Sequence, residues 1–185
     1  MKSVSHIFGG EAKVKVMRLF IFNPSLILNP QEVVRRIKEA PKATKKELKT
    51  LVKAGLIKKR AKGFTLNSSY PYLRATENFL VDATPLTHQE IIKRLSRAGN
   101  LKLVLVSGVF LHDKDSRVDL LVVGTNLKKA KVVSAISSIE AEIGRELRYT
   151  LFETADFQYR LGIYDKLVRD ILDYAHEKIL NKLGI

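Results

Sequence analysis

PKATKKELKTLVKAG, residues Pro41 to Gly55, is the stretch on which the fold turns. Wound as a helix at about 100° per residue, it sets Lys42, Lys45, Lys46, Lys49 and Lys53 within an arc of roughly 100°. Leu48, Leu51 and Val52 fall on the other side, with Thr44 among them. One face is made to bury and the opposite face is a row of cations.

Working outward, Asn29-Pro30 combines an N-cap residue with proline at the first helical position, so a short helix is expected over Gln31–Lys38, with Val33, Val34 and Ile37 inward. Glu39-Ala40-Pro41 ends it. After the lysine helix, Gly55 stands where a left-handed C-cap belongs. Leu56–Arg60 and Phe64–Leu66 then flank Ala61-Lys62-Gly63 as two strands around a tight turn, with Lys58, Lys59, Arg60 and Lys62 making the hairpin basic. A run of charge on one helix is usually only a solvated face. Here the lysine row, the short helix before it and the basic hairpin after it all fall within 36 residues.

Upstream, Glu11–Asn23 crowds Val14, Val16, Met17, Leu19, Phe20, Ile21 and Phe22 together, as a central buried helix would, and Pro24 stops it. Leu26-Ile27-Leu28 is expected as a brief strand beside the hairpin. Downstream, Pro71–Val81 is a helix with more large apolar residues than a free linker needs, and Asp82–Pro85 is the expected boundary.

The 185 residues are enough for two modest domains, and 45% hydrophobic residues are enough for real cores. No apolar run approaches the ~20 residues that span a bilayer, and MKSVSHIFGGEAK has no apolar signal core, so the cytoplasm is expected and a membrane is not. There is no cysteine, which excludes disulfides and thiolate ligands, and His6, His88, His112 and His176 lack metal-ligand spacing. The net charge of +14 is uneven: through Leu66 there are sixteen Lys and Arg against four Asp and Glu, and beyond it seventeen against fifteen. A basic domain joined to a nearly neutral one suits a chain that grips a polyanion with one end.

The second half switches between periods of 2 and 3.6. Thr87 with Glu90 has the spacing of a capping box opening a helix over His88–Ala98. Strands are expected at Leu101–Val106 and Val118–Val123, the latter apolar enough to be covered on both faces. A helix follows at Lys128–Gly144 with Val132, Val133, Ile136, Ile139 and Ile143 on one side, then a strand at Glu146–Glu153 and helices at Ala155–Arg160 and Asp165–Leu183. Tyr149, Phe152, Phe157 and Tyr159 are expected in the core.

Ser107-Gly108 followed by Asp115-Ser116-Arg117-Val118-Asp119 and the apolar run to Val123 resembles the signature of polymerase-β-like nucleotidyltransferases, above all the small single-domain ones. In that family a Gly-Ser turn ends one strand, an Asp-x-Asp pair opens the next, a third carboxylate comes from a later strand, and together they hold Mg²⁺ against nucleotide phosphates. Asp119 matches the second aspartate, the first falls on Arg117, and Glu146 lies near the third carboxylate position. A guanidinium at a metal-ligand position repels Mg²⁺, so Arg117 is expected to pair with Asp119, either as a structural ion pair or as the grip of a phosphate pocket. The resemblance implies a degenerate domain without catalytic residues, metal or cofactor. An active Mg²⁺-dependent nucleotidyltransferase is the alternative.

The first third, on LVKAGLIKKR (Leu51–Arg60) and the hairpin ending Phe64-Thr65-Leu66-Asn67, resembles the winged helix-turn-helix of arsenic-repressor-like regulators. That family's metal sensing uses cysteines or histidine clusters, which this chain lacks, so it is not carried over. The resemblance implies a two-domain α+β or α/β chain. A winged helix at 1–81 is followed at 85–185 by a nucleotidyltransferase-like mixed sheet with flanking helices. Double-stranded DNA is the implied partner and transcription regulation the implied role, with Lys42, Thr44, Lys45, Lys46, Lys49, Thr50 and Lys53 from the helix and Lys58, Lys59, Arg60 and Lys62 from the wing. A homodimer through Phe8–Phe22 and Pro71–Val81 is also implied, with a protein partner or nucleotide at the second domain, for instance a toxin that it neutralises.

Overall fold

The computed structural model describes residues 2–83, 86–113 and 115–185, the first three by their backbone alone. The expected boundary at Asp82–Pro85 includes Thr84 and Pro85, which lie outside the described residues. Described residues form nine α-helices and two sheets, an α+β chain. It divides into two compact units, Met1–Thr87 with Ser137–Arg145, and His88–Ile136 with Glu146–Ile185.

In the first unit, α1 (Lys2–Ile7) precedes α2 (Glu11–Ile21), whose residues from Val14 to Ile21 are all buried. Around α2 pack α3 (Pro30–Ile37), α4 (Pro41–Lys53) and α5 (Leu73–Asp82). Asn29 caps α3 as its sequence requires: its side chain accepts from the Glu32 N–H at 2.9 Å, and the Glu32 carboxylate accepts from the Asn29 N–H at 2.8 Å. Val33 and Ile37 from α3 join Leu48 and Leu51 from α4 in one apolar core with Phe20 and Leu80. Strands β1 (Ile57–Arg60) and β2 (Gly63–Leu66) form an antiparallel hairpin, with Arg60 opposite Gly63 so that only Ala61-Lys62 make the turn. The strand expected at Leu26–Leu28 is a single bridge, in which Leu28 and Phe64 exchange both backbone hydrogen bonds at 2.9 Å. Asn67 ties the hairpin to the end of α4, its side chain donating to the Gly55 carbonyl at 2.7 Å.

Strands β3 (Asn100–Ser107), β4 (Leu120–Thr125), β5 (Tyr149–Glu153) and β6 (His176–Asn181) form the second unit's mixed sheet in the order β5-β4-β3-β6. Only β4 and β5 run parallel. Leu120 to Val123 are all buried, so β4 is covered on both faces. Leu103, Leu105, Leu121 and Val123 point into a core completed by Phe157 of α8 (Thr154–Gly162) and by Val168 and Ile171 of α9 (Lys166–Asp173). Helices α6 (His88–Leu95) and α7 (Lys129–Ile143) complete the elements.

Four expectations are corrected. The helix expected over Asp165–Leu183 stops at Asp173, and His176–Asn181 is instead an edge strand, because β3 offers an unpaired backbone whose hydrogen bonds outweigh local helix preference. Val133 is 43% exposed: it sits about 100° around α7 from Val132 and leaves the buried stripe. Val52 is 36% exposed, because its place on the wheel is about 20° from Lys45, at the border of the cationic arc. Tyr149 and Tyr159 are exposed, while Phe152 and Phe157 are core.

Residues 137–145, the end of α7 and its cap, pack on α2 in the first unit. Asn23 donates from its amide to the carbonyls of both Leu19 and Gly144 at 2.7 Å, and the Arg145 guanidinium lies 4.7 Å from the Phe22 ring centre. Lys15, almost fully buried on α2, bonds Glu39 at 2.7 Å and stands 3.4 Å from Glu142. Burial works to lower its pKa, but the hydrogen bond it donates to Glu39 and the charges of Glu142 and Glu39 prevail and hold it above the ordinary lysine value. Removing the ammonium takes a buried cation away from Glu39 and Glu142, so Lys15→Met should lower stability by about 3 kcal/mol at pH 7. Since the native pKa is raised, that contribution is complete below the ordinary value of 10.5 and is lost as pH climbs through the native one. Urea denaturation of both proteins from pH 7 upward should therefore show the gap closing only in the alkaline range.

Candidate functional site

Helix α4 buries Leu48 and Leu51 beneath it, and the 3.6-residue period then forces Lys42, Lys45, Lys46, Lys49 and Lys53 outward, where all five are exposed. Lys58, Lys59 and Arg60 on β1 and Lys62 in the turn are exposed as well. Between α4 and the hairpin lies an open groove of about 640 Å³. Its rim carries Lys45, Lys49, Lys53, Lys59, Arg60 and Lys62, and among the described residues no carboxylate lines it. Leu48, Val52 and Phe64 form its floor. The geometry brings six of the eleven expected cationic and hydroxyl residues to one groove, and it keeps Lys42, Lys46, Thr50 and Lys58 on the adjoining exposed surface.

Thr44 is removed from that set. It is fully buried, and its hydroxyl donates to the Ala40 carbonyl one turn back at 3.1 Å. The Thr50 hydroxyl is exposed but likewise satisfied within the helix, by the Lys46 carbonyl at 3.1 Å. The surface therefore offers ammonium and guanidinium groups almost alone, which suits phosphate oxygens better than base edges.

In the second unit, β3 ends at Ser107, a 3₁₀ turn over Gly108–Phe110 follows, and Asp119 enters β4 from the opposite side. Asp119 is 1% exposed and fully engaged. One carboxylate oxygen accepts from the Val109 N–H at 3.0 Å and from the Arg148 guanidinium at 3.2 Å. The other accepts from the Arg148 backbone N–H at 2.8 Å and its Nε at 3.2 Å. Gly108, at φ +51°, leaves no room for a side chain: a Cβ there would stand 2.1 Å from the Asp119 oxygen. Ser107 and Ser116 are buried and share a 2.8 Å hydrogen bond, with Ser107 also donating to the Ala175 carbonyl at 2.6 Å.

The expected Arg117–Asp119 pair does not form. Arg117 turns outward to Asp170 of α9 at 2.7 Å, and Arg148, which sequence reasoning passed over, is the partner of Asp119. Arg148 precedes β5, and the parallel register pairs Leu120 with Tyr149, so the two strand starts lie side by side. Nothing in a linear sequence marks that neighbour. Glu146 is exposed before β5. Among the described residues no group of three or more His, Asp or Glu could hold a metal. Asp113 closes a local turn, accepting from the Asp115 N–H at 2.9 Å.

Asp119→Ala leaves the Val109 and Arg148 donors facing an apolar gap and should cost about 3 kcal/mol of stability. Arg117→Ala breaks only a solvated bridge and should cost less than about 1 kcal/mol. Urea denaturation monitored by circular dichroism separates the two; equal losses would contradict a clamp role for Asp119. No protein family, no curated protein and no solved structure matches the chain, so the case for its function is carried by its own residues.

Proposed function

We propose that the first unit is a winged helix-turn-helix that binds double-stranded DNA, and that the chain is a transcriptional regulator. The observation that carries this is the groove between α4 and the hairpin: six cations from a helix and a wing line one concave surface, without an opposing carboxylate among the described lining residues. The order α3, turn, α4, hairpin supports it, since a capped short helix followed by a cationic one is the arrangement that presents the second helix to a major groove. The preference for phosphate over base edges makes affinity the strong property and sequence discrimination the weaker one. Such a role belongs in the cytoplasm, and among the described residues no helix is long and apolar enough to cross a membrane.

Pairing of two copies through Pro71–Val81 fits the same reading, whereas in the other expected segment, Phe8–Phe22, residues Val14–Ile21 of α2 are buried within the first unit and leave little surface for a partner. Tyr72 and Phe79 of that segment are exposed, and the Phe79 ring lies 5.5 Å from that of Phe8 in a tilted arrangement. For the second unit we propose a nucleotidyltransferase-like frame kept for assembly or ligand binding and without turnover. The engagement of both Asp119 oxygens by Arg148 and Val109 supports this, since donors already held there compete with a metal for the same lone pairs.

With about six phosphate contacts, affinity for a duplex should fall by about 10³ between 50 and 200 mM salt, and Lys45→Glu with Lys49→Glu should weaken it by more than about 100-fold. Fluorescence anisotropy with a labelled duplex measures both, and a titration indifferent to salt or to the double variant removes the reading. Incubation with Mg²⁺ and labelled nucleoside triphosphates should give no transfer to protein or small-molecule acceptors; transfer that Asp119→Ala abolishes would overturn the inactive assignment.

A further inference from the structure

We infer that the groove between α4 and the hairpin is also a binding site for a small amphipathic anion, a single molecule with an acidic head group and an apolar body. Contact with a sugar-phosphate backbone needs cations, and it gives no reason for a carbon floor. This groove has one. Leu48 and Phe64 lie at its base, and Val52 stands 36% exposed between Lys49 and Lys53. An exposed valine beside a half-buried phenylalanine is surface that an apolar group would remove from water with gain. The rim sets the sign of the head group, because Lys49, Lys53 and Lys59 converge without a carboxylate among the described lining residues. The size sets the class. A volume of about 640 Å³ lies within the roughly 300–1,000 Å³ that small-molecule sites occupy. Its concave walls suit one molecule and exclude a membrane face, which would need a projecting apolar surface.

The site stands on this geometry alone; only its consequence, that the anion and duplex DNA exclude one another, rests on the reading of the first unit as a DNA-binding domain. Binding of such a molecule would neutralise the cations that meet phosphate and fill the space between helix and wing.

The fluorescence of 8-anilino-1-naphthalenesulfonate, itself an amphipathic anion, reports binding as it leaves water. Saturable enhancement is expected, reversed by monomeric decyl phosphate and not by inorganic phosphate at the same concentration. Val52→Asn should weaken the probe by about fivefold or more through loss of the apolar floor, and Lys49→Gln with Lys53→Gln should weaken it through loss of charge. All three substitutions lie at exposed positions and leave the core intact. Displacement by inorganic phosphate as readily as by decyl phosphate, displacement by anionic vesicles alone, or an unchanged affinity in Val52→Asn would each overturn the inference. Duplex DNA titrated into the same samples keeps the two readings apart. Salt-dependent DNA binding with probe affinity indifferent to Val52→Asn ends the small-anion site only. Groove-dependent probe binding without DNA binding ends the DNA reading only.

Discussion

Burial of one stripe of α4 is the constraint from which the first unit's character follows. Leu48 and Leu51 must meet the core under α2, and once they do, the helical period has no freedom left: five lysines face water on one side of a rigid element. The hairpin is held to that helix by Asn67 and to the preceding segment by the Leu28–Phe64 bridge, so its own cations take up fixed places across the groove. Mutual repulsion among these charges is accepted because the apolar core beneath outweighs it and because water and salt screen exposed ammonium groups.

A second constraint organises the other unit. Asp119 is a carboxylate out of contact with water, and a buried charge persists only where donors surround it. Backbone N–H groups of Val109 and Arg148 and the Arg148 guanidinium supply them, and in doing so they fasten the turn after β3, the entry to β4 and the entry to β5 at one point. The Asp119 carboxylate thus serves the architecture, and the close approach of Gly108 keeps the turn tight against it.

The first unit also contains a charge that burial opposes. Arg18 lies buried on α2, where burial lowers its pKa to about 10 against the pull of Glu142; its guanidinium donates to the Ala83 carbonyl and sits 5.9 Å from the Phe22 ring centre. Lys15, one turn earlier, is over-compensated by Glu39 and Glu142, while Arg18 is under-compensated. Side by side on one helix, the two cations both face the carboxylate of Glu142.

Much of the first unit was legible in the residues, because its signals are local. The capping box at Asn29, the proline at Pro30, the lysine spacing and the two-strand hairpin are each decided within a few residues by sterics and hydrogen bonding. The sequence alone determined which face of α4 would be cationic, that no thiolate chemistry is available, and that positive charge gathers before Leu66. The tertiary structure alone decided that Arg148 rather than Arg117 holds Asp119, that Thr44 is buried, that Val52 and Phe64 line a cationic groove, and that His176–Asn181 is an edge strand on β3. The physical reason is the same in each case: strand pairing, desolvation and concave surfaces depend on which distant segments become neighbours, and that information is absent from the local spacing of residues.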